Sequence, residues 1–147
     1  MCASMILLCA WLAGAAADGL PAQTDVVVYG GTSSGVVAAV QVARSGKSAV
    51  LVEPGRHLGG LSSGGLGATD IGSKQAIGGM AREFYQRLYR FYLRDSAWTR
   101  GTRREYLAAG AGRKNWEEEQ AWWMFEPHAA EAVFGDMVRQ AKVPVVY

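Results

Sequence analysis

The sequence predicts an α/β fold built on a parallel sheet, and three observations carry that prediction. An apolar run at residues 25–29 passes straight into Gly30-Gly31-Thr32-Ser33-Ser34-Gly35. An Ala/Val-rich segment follows, and a second apolar run at residues 48–52 ends at Glu53. Strand, glycine turn, helix, strand and acid in this order form a unit able to hold a pyrophosphate and a ribose.

Each part of the unit has a physical task. Gly30 lets the chain turn tightly out of the first strand, and Gly35 lets the helix pack close to it. Between them, amides at the helix start lack intrahelical acceptors and, with the helix dipole, favour an anion such as a diphosphate. The usual G-x-G-x-x-G spacing is broken, because Thr32 stands at the middle glycine position. Gly31 is expected to provide the close backbone approach instead, with the hydroxyls of Thr32, Ser33 or Ser34 as phosphate donors. Glu53 follows Gly30 by 23 residues, near the ~20-residue spacing of a ribose-binding carboxylate. A carboxylate there accepts from ribose hydroxyls and repels a 2′-phosphate.

The helix is expected over residues 36–45, closed by Gly46. After Glu53, a second run holds six glycines from Pro54 to Gly67. Backbone so poor in side chains can approach a ligand closely, and Leu58, Leu61 and Leu66 are expected to anchor it. A second helix is expected over residues 76–93. Met80, Phe84, Leu88 and Phe91 form its core stripe, and Glu83 and Arg87 stand at supportive i, i+4 spacing. Residues 99–115 read as a polar loop. Trp116, Trp122 and Trp123 bracket an acidic run and are assigned to packing rather than to a substrate entrance. Pro127 suits the first turn of a third helix, which leads to a strand start at residues 143–147. Residues 70–126 are thus a helical excursion from the sheet.

These residues resemble the FAD-dependent oxidoreductase family, whose members read strand, G-G-x-x-x-G, helix, strand, E-P-x-x-x-x-G-G. The likeness is to a secreted bacterial type, broadly similar to the flavoprotein subunits of fumarate reductase and succinate dehydrogenase. It continues at residues 123–131, which look like the family's entry into its next helix. The resemblance implies a Rossmann-like FAD-binding domain over residues 25–147, present as its N-terminal portion. On that reading Gly30, Gly31, Thr32, Ser33, Ser34 and Gly35 cradle the FAD diphosphate, and Glu53 holds the adenosine ribose. Arg56 or His57 sits near the diphosphate. Gly59, Gly60, Ser62 and Ser63 run along the phosphates and ribityl chain, and Gly64 and Gly65 lie nearest the flavin ring. Pro54 and Leu61 belong to the same contact surface. Some relatives attach flavin through a histidine in this region, but His57 is too close to Gly59 for that pattern, so FAD is expected to be non-covalent. Two alternatives stay open: an NAD-binding dehydrogenase domain, and a non-catalytic Rossmann-like domain. The second glycine run argues against the first, and Thr32 keeps the second in view.

The chain of 147 residues is 50% hydrophobic and 19% charged, which is a globular composition. It is expected to lack the rest of the sheet and a substrate domain, both belonging to a missing C-terminal portion of the same protein. Its expected partner is a small-molecule substrate. A net charge of +2 is too small to imply nucleic acid or an anionic membrane. Residues 1–17 read as a signal peptide, apolar and ending in small residues, too short to span a membrane and without a preceding basic residue. Residues 18–24 form a short linker, and the expected location is secreted or periplasmic. Both cysteines, Cys2 and Cys9, fall in the signal segment, and with only His57 and His128 no metal site is expected.

Overall fold

A computed structural model describes residues 20–147 apart from 22, 71 and 109–115. Residues 1–17, read above as a signal peptide, lie outside the described residues. Three parallel strands form one sheet: β1 (Val26–Tyr29), β2 (Ala49–Val52) and β3 (Val145–Val146), in the order β1-β2-β3. Val26 pairs with Ala49 and Val28 with Leu51, and Leu51 pairs in turn with Val145. Parallel neighbours need crossovers. Helix α1 (Ser33–Arg44) joins β1 to β2, and residues 53–144 join β2 to β3. This is the α/β, parallel-sheet class that the strand–turn–helix–strand order requires.

The long crossover carries α2 (Gly79–Tyr92), α3 (Arg103–Ala108), α4 (Trp116–Glu119) and α5 (Pro127–Gln140). Helix α1 starts three residues earlier than its apolar pattern suggests, because Thr32 is its N-cap. The Thr32 hydroxyl accepts the Gly35 N–H at 3.1 Å, the usual task of a threonine at a helix entry. Helix α3 lies inside the stretch expected to be a polar loop. Its cause is a capping box: Thr102 N–H donates to Glu105 at 2.8 Å, and Glu105 N–H donates back to the Thr102 hydroxyl at 3.3 Å.

The core lies between the sheet and the helices. Val36, Ala39 and Val40 of α1, Phe84, Leu88 and Tyr92 of α2, and Ala130, Phe134 and Met137 of α5 are all buried. Phe84 stacks on Phe134 with centroids 4.4 Å apart. Trp122 and Trp123 are buried as well, Trp122 against Tyr92 at 5.0 Å. Met80 and Phe91, read as part of the α2 stripe, are only half-buried. Strand β2 is covered on both faces, whereas Val27 and Tyr29 of β1 are 61% and 75% exposed, so β1 is a bare edge.

Candidate functional site

The strand ends converge on a surface built from two glycine segments. Gly30 leaves β1 with φ +99°, a conformation natural to glycine, and its N–H donates to Val52 O at 2.7 Å. Gly31 N–H donates to Glu53 Oε2 at 2.6 Å, and Gly55 N–H donates to Glu53 Oε1 at 2.6 Å. The carboxylate at the end of β2 is therefore held by one amide on each oxygen. An ionised carboxylate has about four acceptor sites, so lone pairs remain for sugar hydroxyls. A Cβ on Gly31 would lie 2.6 Å from Leu58 Cδ2 and 2.9 Å from Glu53 Oε2. Gly31 is thus required by the packing of Glu53 and Leu58.

The second glycine segment docks on the first. Gly59 N–H donates to Gly31 O at 2.7 Å, and Thr32 and Gly59 form an isolated parallel bridge. The Ser33 hydroxyl donates to Gly59 O at 2.8 Å and lies 3.0 Å from the Ser62 hydroxyl. Gly59 has φ +108°, and a Cβ there would lie 2.6 Å from Phe134 Cδ2. Glycine is needed at this point so that α5 can support the loop from behind.

The hydroxyls offered as phosphate donors have other partners here. Thr32 caps α1, Ser33 straps the two segments together, and the exposed Ser34 hydroxyl lies 3.0 Å from that of Thr32. Ser63 donates to Gly60 O at 3.2 Å, and Gly64 N–H donates to the same carbonyl at 2.8 Å. Gly65 has φ +124° with open space around it. Of the three leucines expected to anchor the loop, only Leu58 does so. Leu61 and Leu66 are 72% and 66% exposed, because the Leu66 N–H to Leu61 O bond at 3.0 Å closes a turn that throws both outward. Pro54 and Arg56 are exposed, and Arg56 makes no hydrogen bond or ion pair among the described residues. His57 Nδ1 lies 2.8 Å from Glu131 of α5. Glu131 and Phe134 are the supports that the reading of the loops alone overlooked.

The glycines left clear of side chains, the free lone pairs of Glu53 and the capped start of α1 together fit a dinucleotide whose diphosphate lies over the turn. Residues 25–147 match the family described as FAD dependent oxidoreductase. The chain belongs to the FAD-dependent oxidoreductase family. It is also similar to a vinyl phenol reductase of Lactiplantibacillus plantarum, with 35% identity over 115 residues, covering 63% of this chain and 23% of that protein. The chain spans less than a quarter of the length of that relative. For a member of this FAD-dependent family, the three-stranded parallel sheet is the part that carries the first glycine turn and the acid. Among the described residues no group of three or more His, Cys, Asp or Glu is placed to hold a metal ion, and no helix is long and apolar enough to cross a membrane.

Proposed function

We propose that this chain holds FAD non-covalently across its two glycine segments and serves an oxidoreductase acting on a small molecule. The amides at the start of α1, between Gly31 and Gly35, face the diphosphate. Glu53 accepts from the adenosine ribose with the lone pairs that Gly31 and Gly55 leave free. Arg56 stands by the diphosphate, and Gly59, Gly60, Ser62 and Ser63 follow the phosphates and ribityl chain. Gly64 and Gly65 lie nearest the flavin ring, with Leu61 on the same surface. When bound, FAD would take up a hydride from substrate and pass electrons onward; the chain's share is to orient it and surround it with backbone dipoles.

The observation that carries this reading is the docking of Gly59 on Gly31 at 2.7 Å beside the clamped Glu53 carboxylate. A lone glycine turn fits many nucleotide sites. A second glycine segment held against it extends the surface in the direction a flavin needs. The likeness to a vinyl phenol reductase supports the redox class, but it covers 23% of that protein and its substrate is not carried over. Export through residues 1–17, and relation to the fumarate reductase type, belong to the same proposal.

The test is the absorption spectrum of the purified full-length protein. A flavin band that passes into the supernatant on acid precipitation is the expected result. A colourless protein that binds NAD would point to the dehydrogenase alternative, and one that takes up neither cofactor to the non-catalytic one. Flavin retained in the precipitate would overturn non-covalent binding.

A further inference from the structure

A second hollow lies apart from the glycine segments and shares no residue with them. It has a volume of about 370 Å³ and is lined by Trp98, Thr99, Arg100, Gly101, Thr102, Glu105, Tyr106 and Glu126. Small-molecule sites begin at about this size. Two of its walls are aromatic: the Trp98 and Tyr106 rings stand 5.3 Å apart between centroids at an interplanar angle of 59°, which makes a corner. Behind them Tyr92 packs against both Trp98 and Trp122, so the corner is backed by further rings and is not free to collapse.

Glu126 brings charge to this corner. Its Oε2 accepts the Tyr92 O–H at 2.6 Å, while its backbone N–H donates to the same phenol oxygen at 2.9 Å. Those two bonds fix the side chain beside the rings. No Lys, Arg or His of the described residues lies within ion-pair distance of it, and Arg100, at the rim, makes no hydrogen bond or ion pair. Glu105 is committed to capping α3 through Thr102. Burial, and then the neighbouring Glu126, push the phenols of Tyr92 and Tyr106 above the usual tyrosine range, so both remain neutral rings. A half-buried carboxylate beside neutral π-faces, forming no ion pair among the described residues although Arg100 also lines the hollow, can take a positive, weakly hydrated partner.

We propose that this hollow binds an organic ammonium ion, lodged against the corner that Trp98 and Tyr106 make, with its charge toward Glu126. Ring faces attract a cation whose charge is spread over methyl or methylene groups, and the carboxylate adds the charge pairing. A neutral molecule of the same shape gains neither. An inorganic cation gains the pairing but holds its water too firmly to use the rings.

The experiment follows the methyl proton resonance of tetramethylammonium chloride with increasing full-length protein at constant ionic strength. The expected result is a saturable upfield shift, caused by the flanking rings, that tert-butyl alcohol does not show and added sodium chloride does not displace specifically. Glu126→Gln is expected to weaken binding roughly tenfold, as for removal of a charged partner. Tyr106→Leu, which leaves the Tyr92–Glu126 bonds in place, provides a second variant if Glu126→Gln fails to fold, and it too should weaken binding. No saturable shift, an equal shift for tert-butyl alcohol, or unchanged binding in a folded variant would overturn the proposal.

Discussion

Gly31 gives its amide hydrogen to the Glu53 carboxylate across 2.6 Å, and this one contact ties the end of β2 to the turn after β1. The absence of a side chain at Gly31 makes the contact possible, since a Cβ would press on Leu58 and on the same carboxylate oxygen. The acid of the motif and the glycine of the motif are therefore a single device.

Gly31→Ala is expected to move Glu53 and Leu58 together. Overpacking of this kind costs about 1–3 kcal/mol, which a urea titration would register as a lower midpoint at unchanged slope. The purified variant should also carry less flavin than the wild type. Unchanged stability would mean that the carboxylate and Leu58 give way freely.

Ser33→Ala removes the strap from Ser33 to Gly59 O and Ser62. The expected loss is about 1 kcal/mol, the usual worth of such a bond, and it should be local. Hydrogen exchange at amides 59–64 should quicken while exchange in β2 does not. Equal quickening in both would place Ser33 in the global fold instead.

Phe134→Ala removes the ring that stacks on Phe84 at 4.4 Å and supports Gly59 from behind. A buried Phe→Ala change typically costs about 3–5 kcal/mol. Denaturation should show that loss, and the loop carrying Gly59 should lose protection with it.

Glu83 links α2 to α1. It takes two hydrogen bonds from Arg44, at 2.6 and 2.8 Å, and one from Arg87 at 2.8 Å. The Arg44 hydrogen bond is the main cause that brings its carboxyl down from 4.5 to about 2; burial opposes the shift and Arg87 adds to it. A depressed carboxyl contributes stability above its unfolded value and loses it as the proton returns. The stability gap between wild type and Glu83→Gln should be constant above pH 4.5 and close as pH falls toward about 2. Its plateau is expected near 1 kcal/mol, because the pair is partly exposed. A gap that persists at the lowest pH would assign the effect to packing.

The sheet, α1 and α5 were legible in the sequence because their signals are local. Val26 to Tyr29 leads to a glycine turn, Glu53 ends the next apolar run, and Pro127 opens a helix with an apolar face. Thr32 was legible as a hydroxyl of the turn, while its second task as the cap of α1 was left unread although its distance from Gly35 marks it. The Thr102-x-x-Glu105 box was equally visible and would have placed α3. What local pattern does not contain is pairing across distance. Nothing in the spacing of Ser33 points to Gly59, of His57 to Glu131, or of Arg44 to Glu83, because each pair meets only after the crossovers pack. Leu61 and Leu66 were misjudged for the same reason, since hydrophobicity alone does not say which way a glycine-rich turn faces.

The central claim is that Glu53 and the two glycine segments hold the adenosine end of FAD. The most direct measurement compares FAD and FMN binding, by quenching of flavin fluorescence, in the full-length wild type and Glu53→Ala. FMN lacks the adenosine ribose, so the substitution should weaken FAD by roughly tenfold or more, the worth of hydrogen bonds to a charged acceptor, and leave FMN almost unchanged. Equal weakening of both ligands, or of neither, would contradict the assignment.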